Sequence, residues 1–137
     1  MGFDDMIVRV TQIRHWQIAF HFSFNSYDIG ELSDALIWAE APASIIQTVS
    51  ENARAGRQNE GFCYSNPSLR RSVIGIGQTS TGPEFLDSTV HEIMHAAQDI
   101  AREDRIDPFG EEIAYLAGDI SHGISDVVCE MSCPRCR

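Results

Sequence analysis

The spacing of apolar positions along this chain shifts from about two residues to nearly four and back. Residues 6–13 and 18–24 alternate or run apolar, with Ile18, Phe20, Phe22 and Phe24 on one side and Ala19, His21 and Ser23 on the other. That is the period of two strands with one greasy face, and it leaves His21 on the side expected to meet solvent. Leu32, Ala35, Leu36 and Ala39 then recur at helical spacing within 31–40, and Pro42 opens a second helical segment that ends near Gly56. Residues 56–71 are rich in Gly, Asn, Ser, Pro and Arg and read as a loop. The β-branched run at 72–79 reads as a strand.

A longer helix is expected at about 83–102. Thr81-Gly82-Pro83 starts it, with Pro at the first helical position and Glu84 in the first turn, where acidic side chains suit the dipole. Phe85, Leu86, Thr89, Val90, Ile93, Ala96, Ala97 and Ile100 form one broad apolar face. A further helix is expected at about 109–120, with Phe109, Ile113, Leu116, Ala117 and Ile120 on its greasy stripe. Its second stripe holds Glu111, Ala114, Tyr115 and Gly118, small enough in part to let another helix approach. These elements add up to an α+β fold, a mixed sheet of about three or more strands packed on helices. At 137 residues it is one domain, residues 1–128, followed by a Cys-rich tail at 129–137.

The chemistry gathers on the 83–102 helix. His91-Glu92-Ile93-Met94-His95 is the H-E-x-x-H pattern, in which two imidazoles one turn apart can hold one zinc ion beside a carboxylate base. Both histidines fall nearly opposite the apolar face, which argues against hydrogen-bonded core residues. Asp99 lies two turns past His91, roughly 12 Å along the axis, too far to share an ion with it. The third ligand is expected from the next helix: Glu111, with Glu112 the alternative, although an acidic first turn also merely suits the dipole.

With His91, His95 and Glu111 placed, the chain resembles zincin metallopeptidases of the gluzincin type. In these, H-E-x-x-H lies on one helix and a Glu on a following helix, often in a Glu-x-x-Ala setting, completes the site; Glu111-Glu112-Ile113-Ala114 has that form. More narrowly, residues 72–120 resemble small zincin-like proteins of phages and bacteria. The resemblance implies one catalytic Zn2+ held by His91, His95 and Glu111, a zinc-activated water, and Glu92 as general base. Tyr115 stands where many relatives carry an Asp that steadies a ligand histidine, and Asp87, one turn before His91, is the substitute. Tyr115, His122 and Tyr64 are the candidate donors to an oxyanion. The substrate implied is a protein or peptide, selectively recognised and bound extended along strand 72–79. A non-catalytic, metal-stabilised binding module of the same fold is the alternative; the carboxylate at Glu92 favours chemistry.

Composition narrows the partners. The formal net charge is −10, and all ten basic residues are arginines. The charge disfavours nucleic acid and anionic membranes, and the absence of lysine excludes Schiff-base and P-loop chemistry. Gly75 and Gly77 lack the third glycine of a dinucleotide motif. The acidic start, Asp4 and Asp5, differs from a signal peptide, and no apolar run reaches membrane-spanning length, so a cytoplasmic setting is expected. Cys129, Cys133 and Cys136 crowd the tail: a second metal site completed by His122 or Cys63, a disulfide, or free thiols. Oligomeric state is not legible here.

Overall fold

The computed structural model describes residues 5–57 and 61–132. The chain is α+β, as expected, with four strands and five α-helices among the described residues. The strands are β1 (Ile7–Ile13), β2 (Trp16–Phe24), β3 (Phe62–Asn66) and β4 (Arg71–Gly77). The helices are α1 (Ile29–Trp38), α2 (Ala43–Arg54), α3 (Gly82–Asp104), α4 (Glu111–Gly123) and α5 (Ser125–Ser132). The sheet order is β1-β2-β4-β3, antiparallel at both outer pairs and parallel between β2 and β4. No described helix is long and apolar enough to cross a membrane.

Helices cover both faces of the sheet. Ile18, Phe20 and Phe22 of β2 and Ile74 and Ile76 of β4 pack with Phe85, Ile93, Ala96, Ala97 and Ile100 of α3 and with Ile113, Leu116 and Ile120 of α4. Val73 packs on the opposite face with Leu32 and Leu36 of α1 and Val49 and Ala53 of α2. Because β2 is covered on both sides, its polar-looking side is not solvent-exposed. His21 is only 5% exposed, contrary to the expectation from alternation. Phe24 also leaves its expected face. The register slips between Phe22 and Phe24, Ser23 sits at φ 62°, and the bulge turns the Phe24 ring into the α1–α2 layer.

The segment 56–71, expected as a loop, contains β3. Five residues are too few for a period to stand out among Gly, Asn, Ser and Pro, and pairing with β4 is what makes the strand. Strand 72–79 is found as β4 at 71–77, but in the sheet interior, hydrogen-bonded to β2 on one side and β3 on the other. Its close-packed glycine is Gly75, where any Cβ would run into the Phe62 ring on the neighbouring strand. The expected tail at 129 begins inside α5, whose Val127 is fully buried in the core; Cys133 and Cys136 lie outside the described residues.

Burial makes one pH prediction. Desolvation pushes the His21 pKa below its ordinary value, opposed by a backbone hydrogen bond to Ala19 and by the Asp28 charge. The unfolded chain therefore binds a proton at His21 before the folded one does, and stability falls as pH drops below about 6.5. The unfolding midpoint is expected to decrease between pH 7.5 and pH 5.5, and His21→Leu is expected to flatten that decrease in a urea titration.

Candidate metal centre

α3 is set by its caps and by its apolar stripe. The Thr81 hydroxyl accepts from the Glu84 backbone N–H at 3.2 Å, and the Glu84 carboxylate accepts from the Ser80 N–H at 3.0 Å, which closes the first turn. Phe85, Thr89, Ile93, Ala96, Ala97 and Ile100 then face inward. The buried arc is narrower than the sequence suggests: Leu86 and Val90 are 46% and 49% exposed. With the helix turned this way, His91 and His95 face outward, and Glu92, about 100° round from His91, points toward β3.

The two imidazoles converge. Their Nε2 atoms are 3.2 Å apart and the ring planes are inclined at 73°. Two nitrogens at that separation, each about 2.0–2.1 Å from one ion, subtend about 100° at it, close to the tetrahedral angle. The pair therefore fits a single zinc ion as a two-point chelate. Among the described residues, the group of His, Cys, Asp and Glu side chains able to share an ion is His91, Glu92 and His95, with ligand atoms within 4.8 Å of one another.

Glu92 differs from its neighbours in being buried, at 5% exposure. Burial raises its carboxyl pKa, while the charges of His91 and His95 pull it back down. Its carboxylate rests against Gly61, the residue before β3: a Cβ built there would lie 2.9 Å from Glu92 Oε2 and 2.9 Å from the Gly75 carbonyl oxygen. Gly61 is thus a site residue that sequence reasoning passed over, because one glycine in a Gly/Asn-rich stretch carries no signal until the fold brings it to α3. Cys63, two residues on, faces the same side of the sheet. Burial and then the Asp99 and Glu92 carboxylates push its thiol far above the usual range, with a weaker opposing hydrogen bond from Ser65.

The other expected site residues are placed as follows. Glu111 is exposed in the first turn of α4 and is not part of the His91–Glu92–His95 group. Glu112 is drawn to Arg14, at 3.3 Å, and the same guanidinium holds Asp104 at 2.7 Å. That bridge ties the start of α4 to the C-terminal end of α3, nine residues and roughly 13 Å along the axis beyond His95. The stripe expected to bring Glu111 against α3 faces outward instead. Tyr115 is 70% exposed, and open space surrounds Gly118. The physical reason is that Ile113, Leu116 and Ile120 bind α4 to the core by its other face. His122 is exposed in the last turn of α4, and Asp87 is exposed and lines a polar hollow with Gln78, Thr79, Ser80, Glu84 and Ser88. Tyr64 packs in the α1–α2 layer, on the far side of the sheet from α3. Asp99 pairs with Arg102 at 3.4 Å, and Cys129 is an exposed free thiol.

The chain matched no family model, no curated protein and no solved structure with which it was compared.

The contact between Gly61 and Glu92 is testable by a double-mutant cycle. Gly61→Ala is expected to destabilise the chain by about 1–3 kcal/mol, the usual range for overpacking. Glu92→Asp in the same chain, which shortens the side chain that the new methyl meets, is expected to recover part of that loss; strict additivity of the two changes would show that the residues do not press on each other.

Proposed function

We propose that this chain is a zinc-dependent peptidase of the zincin type, selective for a protein substrate. The observation that carries the reading is the division of labour within one pentad. Two imidazole nitrogens converge at 3.2 Å on the outer face of α3, while the carboxylate between them in sequence is buried and set against the start of β3. A merely solvated histidine pair needs no buried acid beside it.

In this reading His91 and His95 hold the metal, and Glu111, carried over from the resemblance, is the third ligand. Glu111 does not join the group in this arrangement, and its ligand role rests on the resemblance alone. A zinc ion held there would supply a Lewis acid, lowering the pKa of a water molecule and polarising a carbonyl oxygen. Glu92 takes the proton of the attacking water and returns it to the leaving amine. Burial of Glu92 against Gly61 holds that carboxylate in one place, so little reorganisation is needed when the proton moves.

The substrate's path moves one strand over from the sequence expectation. β4 has no free edge, but among the described residues β3 is paired only to β4, and its start lies beside Glu92. An extended segment adding to the outer edge of β3 would pass the carboxylate, with main-chain hydrogen bonds giving affinity and alternate side chains giving selectivity. A non-catalytic binding module is the competing reading, favoured by the absence of Glu111 from the group found among the described residues, in which Glu92 is the third member.

The two separate in one experiment. Zinc-loaded wild type and Glu92→Gln are incubated with bacterial lysate, and new peptide ends are identified by mass spectrometry. The peptidase reading expects a small set of ends that Glu92→Gln produces ~100-fold less or not at all, the usual scale of a lost general base. Zinc-loaded protein that generates no ends supports the binding module, and equal ends from both chains mean that another protease cut them.

A further inference from the structure

The sheet has a second free edge, remote in strand order from Glu92. Among the described residues β1 is paired to β2 alone, in unbroken register from Ile7↔Phe22 to Ile13↔Trp16. Proteins usually guard such an edge with lysine, proline, a bulge or a covering segment. β1 reads Ile-Val-Arg-Val-Thr-Gln-Ile, and its one charge, Arg9, is bonded at 3.1 Å to Asp126 of α5, which leaves the other face unguarded. On that face Val8 and Val10 are 42% and 60% exposed.

Those valines belong to a built feature. With Ala19, which pairs with Val10, and His21, which pairs with Val8, they floor an open groove of about 520 Å3 whose opposite wall is α1. Glu31 and Asp34 of α1 form its acidic rim. His21 is almost fully buried in this floor, so Val8, Val10 and Ala19 present its apolar surface.

Each part limits the occupant. A row of unpaired backbone groups fits an extended chain. An apolar floor under two carboxylates fits side chains with an aliphatic stem and a cationic head, which is the anatomy of arginine and lysine. A second copy of this chain fits poorly, since it carries a net charge of −10 and brings an identical acidic rim. We propose that the β1 edge is a docking surface for an extended segment of another protein bearing Arg or Lys at alternate positions. The segment adds as a fifth strand, its basic stems over Val8 and Val10 and its charges against Glu31 and Asp34.

The probe is a blocked heptapeptide of alternating arginine and threonine, titrated into the isotope-labelled full chain and followed by amide NMR, with a glutamate–threonine peptide as control. The expected result is saturable shifts in β1 and α1, weakened at least tenfold by Val10→Lys and by Glu31→Lys with Asp34→Lys, and weakened by added salt. Val10 is mostly exposed, so an unchanged α3 spectrum in Val10→Lys certifies the fold. Absence of binding, shifts confined to β3 and α3, equal binding of the acidic peptide, or indifference to Val10→Lys would overturn the proposal. So would a concentration-dependent dimer abolished by Val10→Lys, which would give the edge to a second copy. None of these readouts depends on peptidase activity.

Discussion

The packing of α3 on the sheet fixes everything that makes this chain chemically interesting. Phe85, Ile93, Ala96, Ala97 and Ile100 press onto Phe20, Phe22, Ile74 and Ile76, and each fully buried large side chain contributes about 1.5–3 kcal/mol. The two alanines keep the helix close to the strands. Once that stripe is seated the helix has no rotational freedom left, so the direction of every other side chain on it follows from 100° per residue. His91 and His95 must face outward together, and Glu92 must face β3. A pentad that in sequence is five adjacent letters thereby becomes two environments within one cluster, two exposed, converging imidazoles and one buried carboxylate, with ligand atoms within 4.8 Å of one another.

The same packing explains how the surroundings serve the pentad. β4 fills the gap between β2 and β3 and cannot receive another strand. Its Gly75 yields space to Phe62, which helps seat β3, and β3 in turn brings Gly61 to the Glu92 carboxylate. At the other end of α3, the tight Arg14-His15 turn projects the Arg14 guanidinium onto Asp104 and Glu112, so the β1–β2 hairpin, the end of α3 and the start of α4 are tied at one point. With Ile113, Leu116 and Ile120 holding α4 to the core, that tie sets Glu112 at the end of α3, past His95.

Most of the framework was legible in the sequence because it rests on local signals. Both N-terminal strands, the α1 and α2 segments, the Thr81 cap and the span of α3 were each readable within a few residues. What was not legible depends on tertiary neighbours. His21 looked exposed because alternation on one strand says nothing about whether a second layer covers its far face. β3 was hidden because five residues acquire strand character only through a partner. The role of Gly61 is invisible until two distant segments meet. For α4 the helix and its greasy stripe were readable, but a stripe of small residues does not reveal whether a helix or solvent faces it. Within the site, the convergence of His91 and His95 follows from their spacing, whereas the position of Glu111 depends on the angle between two helices, which spacing does not encode.

The most direct test of the central claim is zinc X-ray absorption on the purified, zinc-loaded chain and its Glu92→Gln and His91→Ala variants. Two imidazole ligands are expected in wild type, with an unchanged imidazole signature in Glu92→Gln and its collapse in His91→Ala. A spectrum without paired imidazoles, or one in which Glu92→Gln alters the ligand shell as much as His91→Ala does, would contradict it.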